Sequence, residues 1–186
     1  SELGVNFGTL MGHATIRRAL IGEDLRDLTD KEMAVFESII DRGMREGALG
    51  ISTGLGYAHS SHVPYKDIAR LTNIVARYGG IYSTHLRSEE VGLEAAIQEP
   101  INVTKENKIS AIISHLRPLI GFEKYVAIGR QMLRNLENNV NLHFDTYPFA
   151  ESIVPLYTFL PEWAKRGNME SMLAHIETPF MRDQIK

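Results

Sequence analysis

Cysteine is absent from this sequence of 186 residues. Disulfides and thiolate metal ligands within the chain are thereby excluded, and any metal must be held by histidine, aspartate or glutamate. Long apolar runs are missing as well. Nowhere do about 18 apolar residues follow one another, so no transmembrane helix is expected. The first residues carry no charged stretch leading into an apolar one, so no secretory leader is expected and a cytoplasmic location fits. Neither sign of charge dominates: 20 Lys+Arg stand against 23 Asp+Glu, for a formal net charge of -3. That balance argues against nucleic acid as a partner. There is no Gly-x-Gly-x-x-Gly after a strand, no P-loop and no Gly-x-Ser-x-Gly elbow, which leaves phosphate-cradle and serine-nucleophile chemistry without support. Low-complexity tracts and linkers are lacking too, so a single domain over residues 1–186 is expected.

What is present is a repeating order of apolar strand and amphipathic helix. Leu3 to Met11 reads as a strand or extended core segment, and Gly22 to Leu28 as a polar loop. Thr29-Asp30-Lys31-Glu32 is a capping box that opens a helix, in which Met33, Phe36, Ile39, Ile40 and Met44 recur at helical spacing. Gly47 stops it. A strand over Ala48 to Thr53 follows, then a long loop from Gly54 to Pro64. The next helix, Tyr65 to Tyr78, presents Ile68, Leu71, Val75 and Tyr78 on one face. After a strand through Ile81 and Tyr82, the apolar periodicity of Leu93, Ile97, Ile101 and Val103 is interrupted by Pro100, which is expected to kink or split the helix. Strands at Ile109 to Ser114 and Val140 to Phe144 bracket a helix over about Phe122 to Leu136, with Val126, Leu133 and Leu136 buried. Beyond them come a turn and short helix around Tyr157 to Ala164, a helical Ser171 to Ile176, a break at Thr178-Pro179, and a final helical start at Met181. Units of this kind, repeating about every 30 residues, imply a parallel sheet with covering helices. A complete eight-unit barrel takes roughly 250 residues, so some five strands imply an open sheet or part of a barrel.

Two phrases match within this pattern. Tyr82-Ser83-Thr84-His85-Leu86-Arg87 and Ile113-Ser114-His115-Leu116-Arg117 each end an apolar run on a histidine. They lie about 30 residues apart, the length of one strand plus a crossover helix. In a parallel sheet both histidines emerge at the carboxyl ends of the strands, where active sites of α/β sheets and barrels are built. Two imidazoles there can share a metal, and neutral imidazole is a common zinc ligand. A catalytic zinc takes three protein ligands and keeps an open position for water, which then ionises near neutrality and attacks a polarised carbonyl.

Other residues admit two readings. Asp145, at a strand end, is a third ligand or general base, or else a cap for the turn after it; the turn-like Asp-Thr-Tyr-Pro favours the cap. Arg87 and Arg117 either clamp a substrate carboxylate or form ordinary ion pairs, Arg87 with Glu89 or Glu90. Tyr57, His59 and His62 share a loop of the kind that carries function on a rigid scaffold, although loop histidines are more often solvated. His13 also sits just past an apolar stretch. His143 reads as a core or supporting residue within a strand, and His175 as a helix-surface residue.

Taken together, Gly12-His13-Ala14-Thr15-Ile16-Arg17, Gly47 to Tyr57, Thr84-His85-Leu86-Arg87, Ile113-Ser114-His115-Leu116, Asp145-x-Tyr147-Pro148 and Leu160-Pro161-x-Trp163-Ala164 occur in this order. The ordered set resembles the N-acyl-D-amino-acid deacylases (D-aminoacylases) of the amidohydrolase superfamily, over almost the whole chain. The resemblance implies an internal segment of a zinc-dependent TIM-type (β/α)8 barrel, roughly strands three to seven. It implies hydrolysis of the amide of a small-molecule N-acyl-D-amino acid. His85 and His115 match the family's metal-ligand histidines after strands five and six. Tyr57 and Tyr147 match residues on the substrate side. Arg117 stands where many relatives carry a lysine near the substrate carboxylate; charge is kept while geometry changes.

The family's His-x-His motif and its catalytic aspartate after strand eight are not found in this sequence. No catalytic residue is therefore assigned within the chain, Asp145 matches the strand-seven phrase instead, and the segment alone is expected to be inactive. Its open strand edges are expected to favour self-association. Two alternatives stand beside this reading: an amidohydrolase acting on a cyclic amide of the hydantoin or dihydropyrimidine type, and a non-catalytic metal-binding or scaffold module.

Overall fold

The structure is a computed structural model. It describes residues 4–89, 92–116, 127–131, 134, 140–149, 151, 153–165 and 169–185. Among the described residues five strands form one sheet: β1 (Leu10–Gly12), β2 (Gly50–Gly54), β3 (Ile81–His85), β4 (Ser110–Ile113) and β5 (Leu142–Phe144). Their spatial order follows the chain, and every neighbouring pair is parallel. Helices α1 (His13–Ile21), α2 (Asp30–Arg45), α3 (Tyr65–Arg77) and α4 (Leu93–Asn107) fill the connections from β1 to β4. The expectation of parallel strands with crossover helices is met. A consecutive parallel order of this kind is how a β/α barrel runs, although five strands are also compatible with an open sheet.

The helices cover one sheet face. Ile51, Thr53, Tyr82, Thr84, Ala111, Ile113 and Leu142 alternate along the strands and are buried, as period-2 geometry requires. Phe36 and Ile40 of α2, Leu71 and Val75 of α3, and Ile97 and Ile101 of α4 close over them. Each such side chain contributes roughly 1.5–3 kcal/mol by leaving water. The opposite face carries Ser52, Ser83 and His85 and is only partly buried. It is the polar face, and it leads to the rim where β3 and β4 end.

The α2 N-terminus is built as its sequence requires. The Thr29 hydroxyl accepts from Glu32 N–H, and Glu32 accepts from Thr29 N–H at 2.8 Å. Gly47 takes φ +102°, a conformation L side chains rarely adopt.

Several expectations are corrected. The first strand is confined to Leu10–Gly12, while Val5 and Phe7 are 75% and 78% exposed and form no core. His13, just past β1, opens helix α1, a helix start the sequence did not announce. Ile39 and Tyr78 lie on helix margins and stay partly exposed, with Tyr78 donating its hydroxyl to Asp41. Pro100 does not split α4, which runs unbroken from Leu93 to Asn107. The proline ring is buried, so its packing offsets the missing N–H of a helix interior. His143 is exposed on β5, which pairs only with β4 among the described residues; its ring bonds to Asn141. Residues 127–131 are helical, but Val126, Leu133 and Leu136 fall outside the described residues. The C-terminal part holds a 3-10 turn at Leu156–Phe159 and short helices at Glu162–Lys165, Met169–Glu177 and Pro179–Ile185. His175 is only partly exposed there, its Nδ1 within 3.1 Å of the Ala164 carbonyl. Among the described residues, no helix is long and apolar enough to cross a membrane.

Candidate metal centre

Register sets the rim. Thr84 of β3 lies beside Ile113 of β4, so His85 and Ser114 end their strands at one level. Ser83 and Ser114 hydrogen-bond across the strands at 2.9 Å. A regular strand would turn the next side chain, His115, to the opposite face. Instead His115 takes φ +40°, and the alternation ends there. Left-handed backbone costs a residue with a Cβ roughly 1–2 kcal/mol. Asp145 offsets that cost: its carboxylate accepts from His115 N–H at 2.5 Å, and its carbonyl accepts from Leu116 N–H at 2.8 Å. Its own N–H donates to Ile113 at 3.1 Å. Of the readings open to Asp145, the structure shows a turn-holding role, exerted on the neighbouring loop after β4.

The result is a close imidazole pair. His85 Nδ1 lies 3.0 Å from His115 Nε2. Glu89 joins them, with Oε1 3.3 Å from His115 Nδ1. Each of the three offers a ligand atom within 4.8 Å of the others. Zinc–nitrogen distances of about 2.0–2.1 Å imply about 3.3 Å between two nitrogens on one tetrahedral ion. The histidine pair therefore fits a single zinc by spacing and by donor type.

Aromatic stacking positions His85 from its other side. Tyr57 stacks on it at a ring separation of 4.7 Å and 14° between planes, and His59 lies parallel to Tyr57 at 5.9 Å. Gly56 lets this loop approach: a Cβ there would lie 2.5 Å from His85 Nε2 and 2.7 Å from the Leu86 carbonyl. Arg87 ties the loop down. It donates to the Ser61 and Val63 carbonyls at 2.6 and 3.1 Å, and holds Glu99 of α4 bidentately at 3.0 and 2.7 Å. Its expected acidic partner near the strand end is thus replaced by Glu99, twelve residues on, while Glu89 turns to His115.

The remaining candidates separate. His13 is buried against Phe36, and its Nδ1 has no hydrogen-bond partner among the described residues. Burial, with Arg17, His59 and His62 nearby, pushes its pKa down to about 4. His59 and His62 are lowered too, first by burial, and neither joins the His85 group. Tyr147 packs edge-on against Phe149 beyond β5. Arg117 falls outside the described residues. Glu89 is the site residue that sequence reasoning missed. Its signal is its place four residues after His85, within a rim loop.

A parallel sheet of β/α units with a histidine pair at its carboxyl rim defines the class: an α/β fold whose strand ends carry a His-His-Glu group that could hold a metal ion. No protein-family model matches the chain. Curated relatives do. A D-aminoacylase from Alcaligenes xylosoxydans xylosoxydans is 33% identical over 111 residues, 60% of this chain and 23% of that protein. An N-acyl-D-aspartate deacylase of the same organism is 34% identical over 112 residues, 60% of this chain and 22% of that protein. Its N-acyl-D-glutamate deacylase is 26% identical over 150 residues, covering 80% and 31%. Among solved structures, a D-aminoacylase described as defining a novel subset of amidohydrolases superposes with a TM-score of 0.69 at 27% identity. A D-aminoacylase studied for its binuclear metal centre gives 0.70 at 26%. Both alignments cover 78% of this chain and 31% of the other. The chain is thus similar, in sequence and in fold, to the N-acyl-D-amino-acid deacylases, and it spans less than a third of their length.

Proposed function

We propose that this chain carries part of the metal site of an amidohydrolase that cleaves the amide of N-acyl-D-amino acids. The observation that supports this most directly is the 3.0 Å approach of His85 Nδ1 to His115 Nε2 at the strand ends. His85 and His115 would hold a zinc ion. When bound, zinc supplies Lewis acidity: it brings the pKa of a coordinated water near 7 and polarises a carbonyl. The chain's own residues orient and enclose. Tyr57 restrains the His85 ring from one face, and Asp145 holds the turn that presents His115. On this reading Tyr57, Tyr147 and Arg117 would serve the substrate, Arg117 as the cation for its carboxylate. With no general base assigned, the chain by itself turns over little or no substrate.

The test is metal content of the purified chain by plasma mass spectrometry, beside an H85A/H115A double variant. Close to one zinc per chain, lost in the variant, is the expected result. Zinc that survives the double substitution, or none in either protein, would sink the metal assignment. A panel of N-acetyl-D-amino acids, their L-enantiomers and cyclic amides, given to a full-length protein containing this segment, tests the substrate class. Preference for a cyclic amide would overturn it.

A further inference from the structure

Glu89 is only 8% exposed, yet it follows the rim strand by just four residues. We propose that Glu89 is a positioning residue that sets the tautomers of both histidines in the pair; this rests on the metal reading above. An ionised carboxylate only accepts hydrogen bonds. The 3.3 Å contact of Glu89 Oε1 with His115 Nδ1 therefore places the His115 proton on Nδ1. A neutral imidazole carries one N–H, so His115 Nε2 is left as a lone pair. The 3.0 Å contact between His115 Nε2 and His85 Nδ1 must then be donated by His85. One carboxylate thus orders two rings.

The consequence differs between the two histidines. His115 presents its ligand lone pair before any metal arrives. His85 Nδ1 carries a proton in the metal-free protein and becomes a ligand only when that proton is exchanged for one on Nε2 through solvent. The ring stays neutral throughout, with one proton lost and one gained. Carboxylate partners of this sort commonly govern the orientation of metal-ligating histidine. Glu89 could instead bind the metal itself, since its oxygen lies within 4.8 Å of both histidine nitrogens. The two roles separate experimentally, because E89Q keeps an accepting oxygen and loses the charge, whereas E89A loses both.

The experiment uses the 186-residue chain labelled with 15N-histidine. Long-range proton–nitrogen correlation spectra of the metal-free protein, at a pH where the rings are neutral, report the tautomers directly. Zinc affinity is measured alongside by competition with a chromophoric chelator, and backbone spectra confirm that each variant is folded. The expected result is His115 protonated at Nδ1 in the wild type and in E89Q. In E89A it shifts toward the Nε2 form that predominates in free histidine. Zinc affinity should fall about threefold in E89Q and roughly 10- to 100-fold in E89A. A wild-type His115 protonated at Nε2, or no tautomer change in folded E89A, overturns the proposal. So does an E89Q loss as large as that of H115A, which would make Glu89 a ligand. If the chain takes up no zinc but its tautomers respond to Glu89 as stated, positioning stands and the metal reading alone fails.

Discussion

At the scale of single residues, the rim depends on close approach as well as on charge. Gly56 is the sharpest instance. Any side chain there would enter the space of His85 Nε2 and the Leu86 carbonyl, and the carbonyl, being backbone, cannot swing aside. G56A is therefore expected to move the Tyr57 loop off His85 and to weaken zinc binding at least tenfold. The fold itself should survive, because most of the apolar core lies between the sheet and helices α2, α3 and α4. Chelator competition and a thermal melt check both halves. Unchanged zinc affinity in G56A would show that the Tyr57 stack does not orient the His85 ring for metal. The meeting of His85 and His115 was legible in the sequence because matched phrases sit at the ends of matched strands. Glu89 was not, because its contact depends on the left-handed turn at His115, and no periodicity encodes a turn. For the same reason Arg87 pointed to its nearest acids, while the folded chain gives it Glu99.

At the scale of elements, one loop and one helix start carry the consequences. The loop from Gly54 to Val63 is bound to α4 through Arg87, whose guanidinium bridges Glu99 and two loop carbonyls. Replacement by methionine keeps much of the stem but leaves both carbonyls and a largely buried carboxylate unpaired. A cost of roughly 1–3 kcal/mol is expected, with faster proteolysis inside the loop than elsewhere. Uniform proteolysis across the chain would locate the damage in the global fold instead. At the start of α1, His13 is buried as the neutral ring, with a folded pKa of about 4 against the ordinary histidine value of 6.5. The unfolded chain therefore binds the extra proton first as pH falls. Stability contributed by neutral His13 is complete above about 6.5 and is lost between 6.5 and 4, to roughly 3 kcal/mol at the lower end. His59 and His62, shifted in the same direction by burial, add to the slope. H13Q should flatten the dependence of melting temperature on pH over that window; an unchanged slope would assign the acid sensitivity to other groups. The α1 start itself was hidden in the sequence, since Gly12-His13 carries no capping side chain. Capping chemistry made α2 plain, whereas Pro100, expected to kink or split its helix, does not split α4, in which it is buried.

At the scale of the whole molecule, the sheet has two outer strands among the described residues, β1 and β5, each paired on one side only. Neither is shielded by charge: β1 is Leu10–Gly12 and β5 is Leu142–Phe144. Unpaired edges offer rows of backbone N–H and C=O groups to another chain. Apolar exposure accumulates in the chain segments around these edges. Val5 and Phe7 precede β1, while Phe149, Ile153, Leu156 and Phe159 follow β5, with Ile153 fully exposed. Hydrophobic surface next to an open edge lets backbone pairing and apolar burial act together, so the 186-residue chain is expected to self-associate as its concentration rises. The alternation of apolar strand and amphipathic helix announced the parallel sheet, but exposure at its margins depends on which strands lie beside them. That is a property of assembly, not of periodicity. Light scattering over a hundredfold range of concentration reads the outcome. A rising mean mass, reduced when Leu156 and Phe159 are replaced by serine, would tie association to the β5 side. A constant monomer mass would mean that the edges are protected by the chain's own remaining residues.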